Sequence, residues 1–230
     1  MKIKKISLAV LVLASLAAIG CGDPEVAGDV TLPDTGMMRV VNLSSEELAV
    51  KFGSQLNHSP LAPASGTRWQ KQRVGAAKVG VLKGESSLLD ETATVSKGQL
   101  TSFVILPADG GAKSVSVTES GDIQTQSGPA SLRVIYTPSQ GSSKALSITA
   151  GDGSKSSAEP LTPQTISVSG TEKQKFVFET EGQPKLEQEI ELEAGSSYTI
   201  FLTEGKSGLV SALVRNDQKL EASGEAGSSR

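Results

Sequence analysis

The chain has 230 residues, a formal net charge of −3 and 3% aromatic residues, with one cysteine, one histidine and one tryptophan. A mildly acidic protein lacks the basic surface that binds phosphate backbones, which excludes nucleic acid as a partner. One cysteine forms no internal disulfide, and with one histidine it supplies too few ligands for a structural zinc site.

Residues 1–20 have the three parts of an export signal. Three lysines lie within the first five residues, an apolar run follows over residues 6–18, and small residues precede residue 21. The apolar run is shorter than the roughly 20 residues that a permanent membrane helix needs. The pattern predicts a signal peptide over residues 1–20.

Cys21 closes the segment LAAIGC, which resembles a bacterial lipobox. The resemblance implies cleavage before Cys21 and a covalent lipid (diacylglycerol and palmitate) on this residue, with no other cofactor. Two or three acyl chains suffice for stable anchoring. Gly22 follows where an aspartate would favour the inner membrane. We therefore expect a lipoprotein of the bacterial cell envelope, in the outer membrane if the cell has two membranes.

Residues 21–37 contain the stretch GDPEVAGDVTLPDTG, which is rich in Gly, Pro and Asp. This composition is typical of a flexible tether. Short runs of β-forming residues come next, and they predict a first β-sandwich domain over residues 38–119. The predicted strands cover residues 38–43, 48–52, 74–82, 100–106 and 113–118.

A polar segment with a Gly-Pro pair, residues 120–130, predicts a linker between two domains. A second β-sandwich is predicted over residues 131–218. Residues 219–230 are predicted to be a disordered tail, because they have too little apolar surface to offset the entropy of ordering. The second set of predicted strands covers residues 132–136, 145–149, 165–168, 175–179, 186–192, 198–202 and 208–214.

The two halves match each other at nearly one offset. Residues 38–43 (MRVVNL) align with 132–137 (LRVIYT) at an offset of 94, and residues 97–103 with 194–200 at an offset of 97. The matches indicate a tandem duplication. We therefore predict an all-β fold of two tandem Ig-like antiparallel β-sandwiches, each with seven or eight strands.

The segment RVVNLS at residues 39–44 resembles the opening RVVNLSP strand of the bacterial surface family known as domain of unknown function 4397. The segment AGSSYTIF at residues 194–201 is similar to the closing AGKxYTV strand of that family. The chain departs from the family at Ser45, where proline is usual. The resemblance implies two tandem Ig-like sandwiches on a bacterial surface and no catalytic residues.

Two charged clusters are candidate binding sites. In residues 185–193 the period of two puts one row of acidic side chains, about 6.8 Å apart, on an outer face. The simpler interpretation is a solvated face that discourages edge pairing, and the alternative is a cation or partner site. The row consists of Glu187, Glu189, Glu191 and Glu193.

The second cluster places three positive charges around the only tryptophan. Arg68, Lys71 and Arg73 surround Trp69, and such a group could stack on a sugar or hold an anionic cell-wall polymer. The simpler interpretation is that Trp69 packs into the first sandwich and that the basic residues form a solvated rim.

Three functions of different classes are open at this stage. The first is a non-enzymatic surface or periplasmic envelope protein, a binding or spacer module for an envelope protein or a cell-wall polymer. The second is a small-ligand or glycan receptor, against which the scarcity of aromatic residues counts. The third is a hydrolase with dispersed carboxylates. No catalytic or metal-ligating set stands out in the sequence.

Overall fold

The structure, a computed structural model, describes residues 34–53, 55–56, 60–109, 111–119, 128–138, 144–168 and 173–216. The predicted signal peptide, Cys21 and almost all of the predicted tether lie outside these residues. The predicted tail, residues 219–230, and most of the predicted linker lie outside them as well.

The first sandwich consists of two sheets. One has the order β4-β1-β8-β9, and the other has the order β3-β2-β6-β7. Strand β5 pairs with β1 beyond β4, so that β4 and β5 form one interrupted edge. The strands are β1 (Thr35–Asn42), β2 (Ala49–Phe52), β3 (Gln55–Leu56), β4 (Ser65–Gly66), β5 (Gln70–Arg73), β6 (Gly75–Lys83), β7 (Ser86–Val95), β8 (Leu100–Ala108) and β9 (Gly111–Glu119).

The second sandwich repeats this topology. Its sheets have the orders β13-β10-β16-β17 and β12-β11-β14-β15. The predicted all-β fold of two tandem sandwiches is confirmed. The strands are β10 (Ala130–Tyr136), β11 (Leu146–Ala150), β12 (Lys155–Ala158), β13 (Gln164–Val168), β14 (Lys173–Glu179), β15 (Leu186–Glu191), β16 (Ser197–Gly205) and β17 (Gly208–Arg215).

One strand pair in each sandwich is parallel rather than antiparallel. β1 pairs with β8, and β10 pairs with β16, in parallel register. Between the two members of each pair the chain crosses to the other sheet and returns, so both strands enter their sheet from the same end. The other described pairs are antiparallel, as the sequence predicted.

Some strands begin outside the predicted ranges or were missed. β1 starts at Thr35 because Thr35 and Gly36 pair with β5, and backbone pairing does not require apolar side chains. β10 starts at Ala130, inside the predicted linker. β7 was missed because most of its side chains are polar and exposed, and only Ala93 and Val95 are buried.

Each sandwich has its own apolar core. The first is built around Met38, Val40, Val79, Val81 and Phe103, all at most 1% exposed. The second core is larger and contains more aromatic residues. It includes Tyr136, Phe176, Phe178 and Ile200, which are fully buried.

A third apolar cluster, here called the middle layer, lies between the sandwiches. The first sandwich contributes Val41, Leu43, Val104, Leu106 and Val117, and the second contributes Ile135, Phe201, Ala212 and Val214. The sheet that contains β1 therefore packs on the sheet that contains β10. Both belong to one compact unit that begins at Asp34. Strands β8 and β16 are buried on both faces.

The middle layer leaves no room for an added methyl group at Gly66. A Cβ atom there would lie 2.8 Å from Cγ2 of Val214, across the contact between the sandwiches. We expect Gly66→Ala to lower the free energy of unfolding by about 1–3 kcal/mol, because overpacking forces stiff neighbours to shift. Urea denaturation followed by Trp69 fluorescence measures this change.

Gly80→Ala is the matched control. The nearest atom to an added Cβ is Cβ of Lys51 at 3.5 Å, an ordinary contact. The control is expected to stay within about 0.5 kcal/mol of the wild type. Equal losses in both variants would contradict the tight contact at Gly66.

Candidate functional site

A buried polar network crosses the middle layer, and Arg39 is its centre. The side chain points away from the core of its own sandwich, since Met38 and Val40 on either side point inward. The guanidinium donates to Oγ of Ser102 at 2.7 Å, to Oδ1 of Asn216 at 2.8 Å and to Oε1 of Glu119 at 2.7 Å. Arg39 is 0% exposed.

Glu119 joins this network to the second sandwich. Its Oε2 atom accepts from Nη1 of Arg133 at 3.0 Å and from Oγ1 of Thr199 at 3.2 Å, and Oε1 also accepts from Ser102. We call Arg39, Ser102, Glu119, Arg133, Thr199 and Asn216 the Arg39 network.

The Arg39 network is nearly two-fold symmetric. Arg39 pairs in register with Ser102, and Arg133 pairs with Thr199 at the equivalent place in the second sandwich. Glu119 is the last residue of β9, and Asn216 directly follows the equivalent strand β17. The two residues occupy equivalent positions beside β8 and β16. Arg39 contacts Asn216, and Arg133 contacts Glu119. Reciprocal contacts of this kind are the signature of an isologous interface.

Burial and charge act in opposite directions on Glu119. Burial alone would raise the pKa of this carboxyl, but Arg39, the Ser102 hydroxyl and Arg133 together hold it below its ordinary value. Burial lowers the pKa of the Arg39 guanidinium against the opposing effect of Glu119. The pair is therefore charged at neutral pH, and its chemistry is structural, because ligands do not reach a fully buried centre.

Sequence reasoning missed the Arg39 network, although the signal was present. An arginine stands at the same position of both aligned segments, between apolar residues on either side. A charged residue inside a run that is otherwise buried needs a partner. The repeat alignment showed Arg39 and Arg133 together, but the partners Glu119 and Asn216 are distant in sequence and follow from the fold alone.

A groove lies at the end of the molecule where β1 finishes. It has a volume of about 1040 Å³ and is lined by residues 43–46 and 63–64 and by the ends of the β8–β9 and β16–β17 hairpins. We call it the tip groove. Pro63, Leu88, Pro107 and Val210 contribute apolar surface to it.

Lysines and carboxylates alternate around the tip groove. Lys206 bonds Asp109 at 2.9 Å, which joins the two hairpin ends. Lys83 bonds Glu46 at 3.0 Å. The hydrogen bond of Lys206 and its charge lower the pKa of Asp109. A general acid needs a raised pKa, so this shift has the wrong direction for acid catalysis.

A tyrosine lies beneath the tip groove. The hydroxyl of Tyr136 donates to Oε1 of Glu204 at 2.6 Å. Burial, followed by this hydrogen bond, raises the pKa of Tyr136 to about 12. The phenol is therefore neutral at physiological pH and keeps Glu204 in place at the groove wall.

The structure separates the members of the basic cluster predicted around Trp69. Trp69 is 5% exposed, and the Arg39 guanidinium lies 4.2 Å from its ring centroid. The ring therefore supports the Arg39 network and offers no surface on which a sugar could stack. Arg68, Lys71 and Arg73 are exposed on the edge formed by β5.

The predicted acidic row lies on β15 and just after it, with all four carboxylates exposed. The neighbouring strand β14 supplies positive charge, since Lys173 and Lys175 stand opposite Glu191 and Glu189. Nζ of Lys175 bonds Oε2 of Glu187 at 2.6 Å, and Arg215 bonds Glu193 at 2.8 Å. These lysines offset the repulsion without a cation. A partner site on this row stays a prediction.

Two kinds of feature are absent from the described residues. No group of three His, Cys, Asp or Glu side chains there could hold a metal ion. The same residues contain no helix that is long and apolar enough to cross a membrane. Cys21 and His58 lie outside the described part of the chain.

No protein-family model matches the chain, and no curated protein matches it. The C-terminal domain of AlgF from P. aeruginosa is 18% identical at a TM-score of 0.31, with 37% of this chain and 99% of that domain covered. A candidate cell adhesion protein from Bacteroides uniformis is 9% identical at a TM-score of 0.25, over 80% and 97% of the two chains.

A third structure is the module CBMbc of family CBM26 from Eubacterium rectale Amy13K, solved with maltoheptaose. It is 11% identical at a TM-score of 0.24, and the match covers 81% of this chain and 98% of that one. Similarity at this level assigns no function to the chain. Membership of the domain of unknown function 4397 family stays a prediction.

Glu119→Gln tests the Arg39 network directly. The variant leaves two arginines in the middle layer without a carboxylate, and removing one partner of a buried ion pair costs about 3–5 kcal/mol. We expect a loss of that size in the free energy of unfolding, measured by urea denaturation with Trp69 fluorescence. Glu193→Gln, which breaks an exposed pair with Arg215, is the control and should cost less than about 1 kcal/mol. Similar costs for the two variants would argue against the network.

The contribution of Glu119 should depend on pH. The pKa of Glu119 in the folded state lies below its ordinary value of 4.5, so its ionised form stabilises the protein above pH 4.5. That stabilisation is lost as the pH falls through the folded-state pKa. Urea denaturation of wild type and Glu119→Gln at pH 7 and at lower pH should show the difference in free energy shrinking below pH 4.5. A constant difference over this range would contradict the assignment.

Proposed function

We propose that the chain is a non-enzymatic lipoprotein of the bacterial envelope whose double sandwich is a rigid binding module. The packing of the two sandwiches through the middle layer and the Arg39 network carries this proposal. An interface with buried apolar residues and a buried ion pair resists domain motion, whereas polar interfaces between domains permit it. Both hairpin ends at the tip groove are therefore held in one geometry.

The tip groove lies far from the start of the described residues. The described residues begin at Asp34, at the end of the molecule where β1 starts, and the tip groove lies where β1 finishes. A strand of eight residues spans about 26 Å. The tip groove and the end at which the described residues begin are therefore separated by about the length of β1.

Two observations weigh against the alternatives. The described lining of the tip groove contains no aromatic side chain, and the ring of Trp69 is buried, which removes the usual platform for sugars. For a hydrolase, the groove carboxylates Glu46 and Asp109 are each paired with a lysine, and Glu204 accepts the hydroxyl of Tyr136. The pKa of Asp109 is lowered by its lysine, which is the wrong direction for a general acid.

The experiment compares wild type with three separate variants: Cys21→Ser, a variant whose tip groove is blocked, and a control for the blocked groove. Ser45→Arg with Ser207→Arg fills the tip groove with two large side chains on exposed loop positions. After cross-linking in the native envelope and affinity capture, we expect wild type to recover a specific partner. The groove variant should recover at least tenfold less of it, because the added arginines occupy the contact surface.

Ser116→Arg with Ser157→Arg is the matched control, since both serines are exposed on strands away from the groove. The control should recover as much partner as wild type. Equal recovery by the groove variant would exclude the tip groove as the site. Cys21→Ser should move from the membrane fraction to the soluble fraction, and retention in the membrane would contradict lipid anchoring.

A further inference from the structure

The edges of the four sheets differ in their charge. Within the described parts of the chain, seven strands of at least four residues lie at a sheet edge, and six of them carry charged residues. β5 carries Lys71 and Arg73, and β15 carries a row of glutamates. Charged side chains on an edge are a common device against pairing with another chain. The seven strands are β5, β7, β9, β12, β13, β15 and β17.

β13 is the exception, with the sequence Gln-Thr-Ile-Ser-Val and no charge. One side of it pairs with β10, from Val134 opposite Gln164 to Ala130 opposite Val168. No described strand pairs with its other side. Three of its residues are β-branched, which favours an extended strand. Within the described residues, the backbone groups on that side therefore have no strand partner, although the Thr165 carbonyl accepts a hydrogen bond from the Gln164 side chain at 3.4 Å.

Apolar surface accompanies this edge. Ile166 is half-buried against the core of the second sandwich, so an added strand would cover more of it. Leu161, three residues before β13, is 45% exposed and has a φ of 60°. A large apolar side chain in solvent and a left-handed backbone at a non-glycine residue both cost free energy, and a covering partner would offset part of that cost.

We propose that β13 is a self-association surface at which two copies of this chain pair antiparallel through their β13 strands. An antiparallel pair centred on Ile166 places Ile166 opposite its equivalent and Thr165 opposite Ser167 of the second copy. Thr and Ser side chains directly opposite each other form favourable cross-strand pairs. The two sheets would then continue as one.

The absence of charge on β13 favours a second copy as the occupant over self-pairing at the most highly charged edges. Self-pairing of β15 would set glutamate against glutamate, and self-pairing of β5 would set lysine and arginine against each other. Like charges directly opposite destabilise a strand pair. At β13 two identical strands meet without any like charge. The inference extends beyond the proposed function and does not depend on it, although an anchor would raise the local concentration of the copies.

Disulfide trapping tests this pairing. Cys21 is the only cysteine, so the mature chain with Cys21→Ser contains none. Ile166→Cys in that background would bring two cysteines together at a Cα distance of about 4.5–5.5 Å across the pair, within the range that a disulfide spans. Under mild oxidation we expect at least tenfold more covalent dimer than for Ser116→Cys on the edge strand β9. Ser116 is more exposed than Ile166, so random collision would favour the control.

A second variant makes the outcome specific to β13. Thr165→Lys with Ser167→Lys, added to Ile166→Cys, sets lysines against each other and should reduce the covalent dimer at least tenfold. Circular dichroism confirms that the variants are folded, and sedimentation of the cysteine-free chain at rising concentration should show a reversible dimer. The proposal is overturned by equal trapping at residues 166 and 116, by trapping that the lysines do not reduce, or by a monomer at every concentration.

Discussion

Arg39 carries a full charge into a layer that water does not reach, and the whole arrangement of the two sandwiches follows from how that charge is satisfied. Its partners come from both halves, Ser102 and Glu119 from the first and Asn216 from the second. Apolar replacements can be as stable as a buried ion pair. What the network adds here is geometry. Flat apolar faces can slide past each other, whereas the three hydrogen bonds that cross between the sandwiches, one accepted by Asn216 and two by Glu119, permit one register.

The near two-fold symmetry of the Arg39 network accounts for the way in which the two repeats pack on each other. Each repeat offers the same face, and the reciprocal contacts of Arg39 with Asn216 and of Arg133 with Glu119 are those of a symmetric dimer. The symmetry is broken at one position, where Asn216 stands in place of a second carboxylate. Glu119 therefore serves both arginines, binding Arg39 within the first sandwich and Arg133 across the contact between the sandwiches.

The exposed surfaces lie on different sides of the double sandwich. The chain enters at one end, the tip groove opens at the other, and the uncharged strand β13 lies along one side. The charges on the other described edge strands, such as Lys71 on β5 and Glu189 on β15, disfavour pairing of those edges with a strand of another chain.

The sequence by itself determined the all-β class, the repeat and most strand positions, because alternating apolar residues and turn residues act locally. The sequences of β8 and β16 also indicate burial on both faces, because their apolar residues form continuous runs instead of alternating with polar ones. The tertiary structure alone decided that Trp69 lies on Arg39 and that Glu119 meets Arg133. These contacts join residues far apart in the chain, and the packing of one folded sheet on another brings them together.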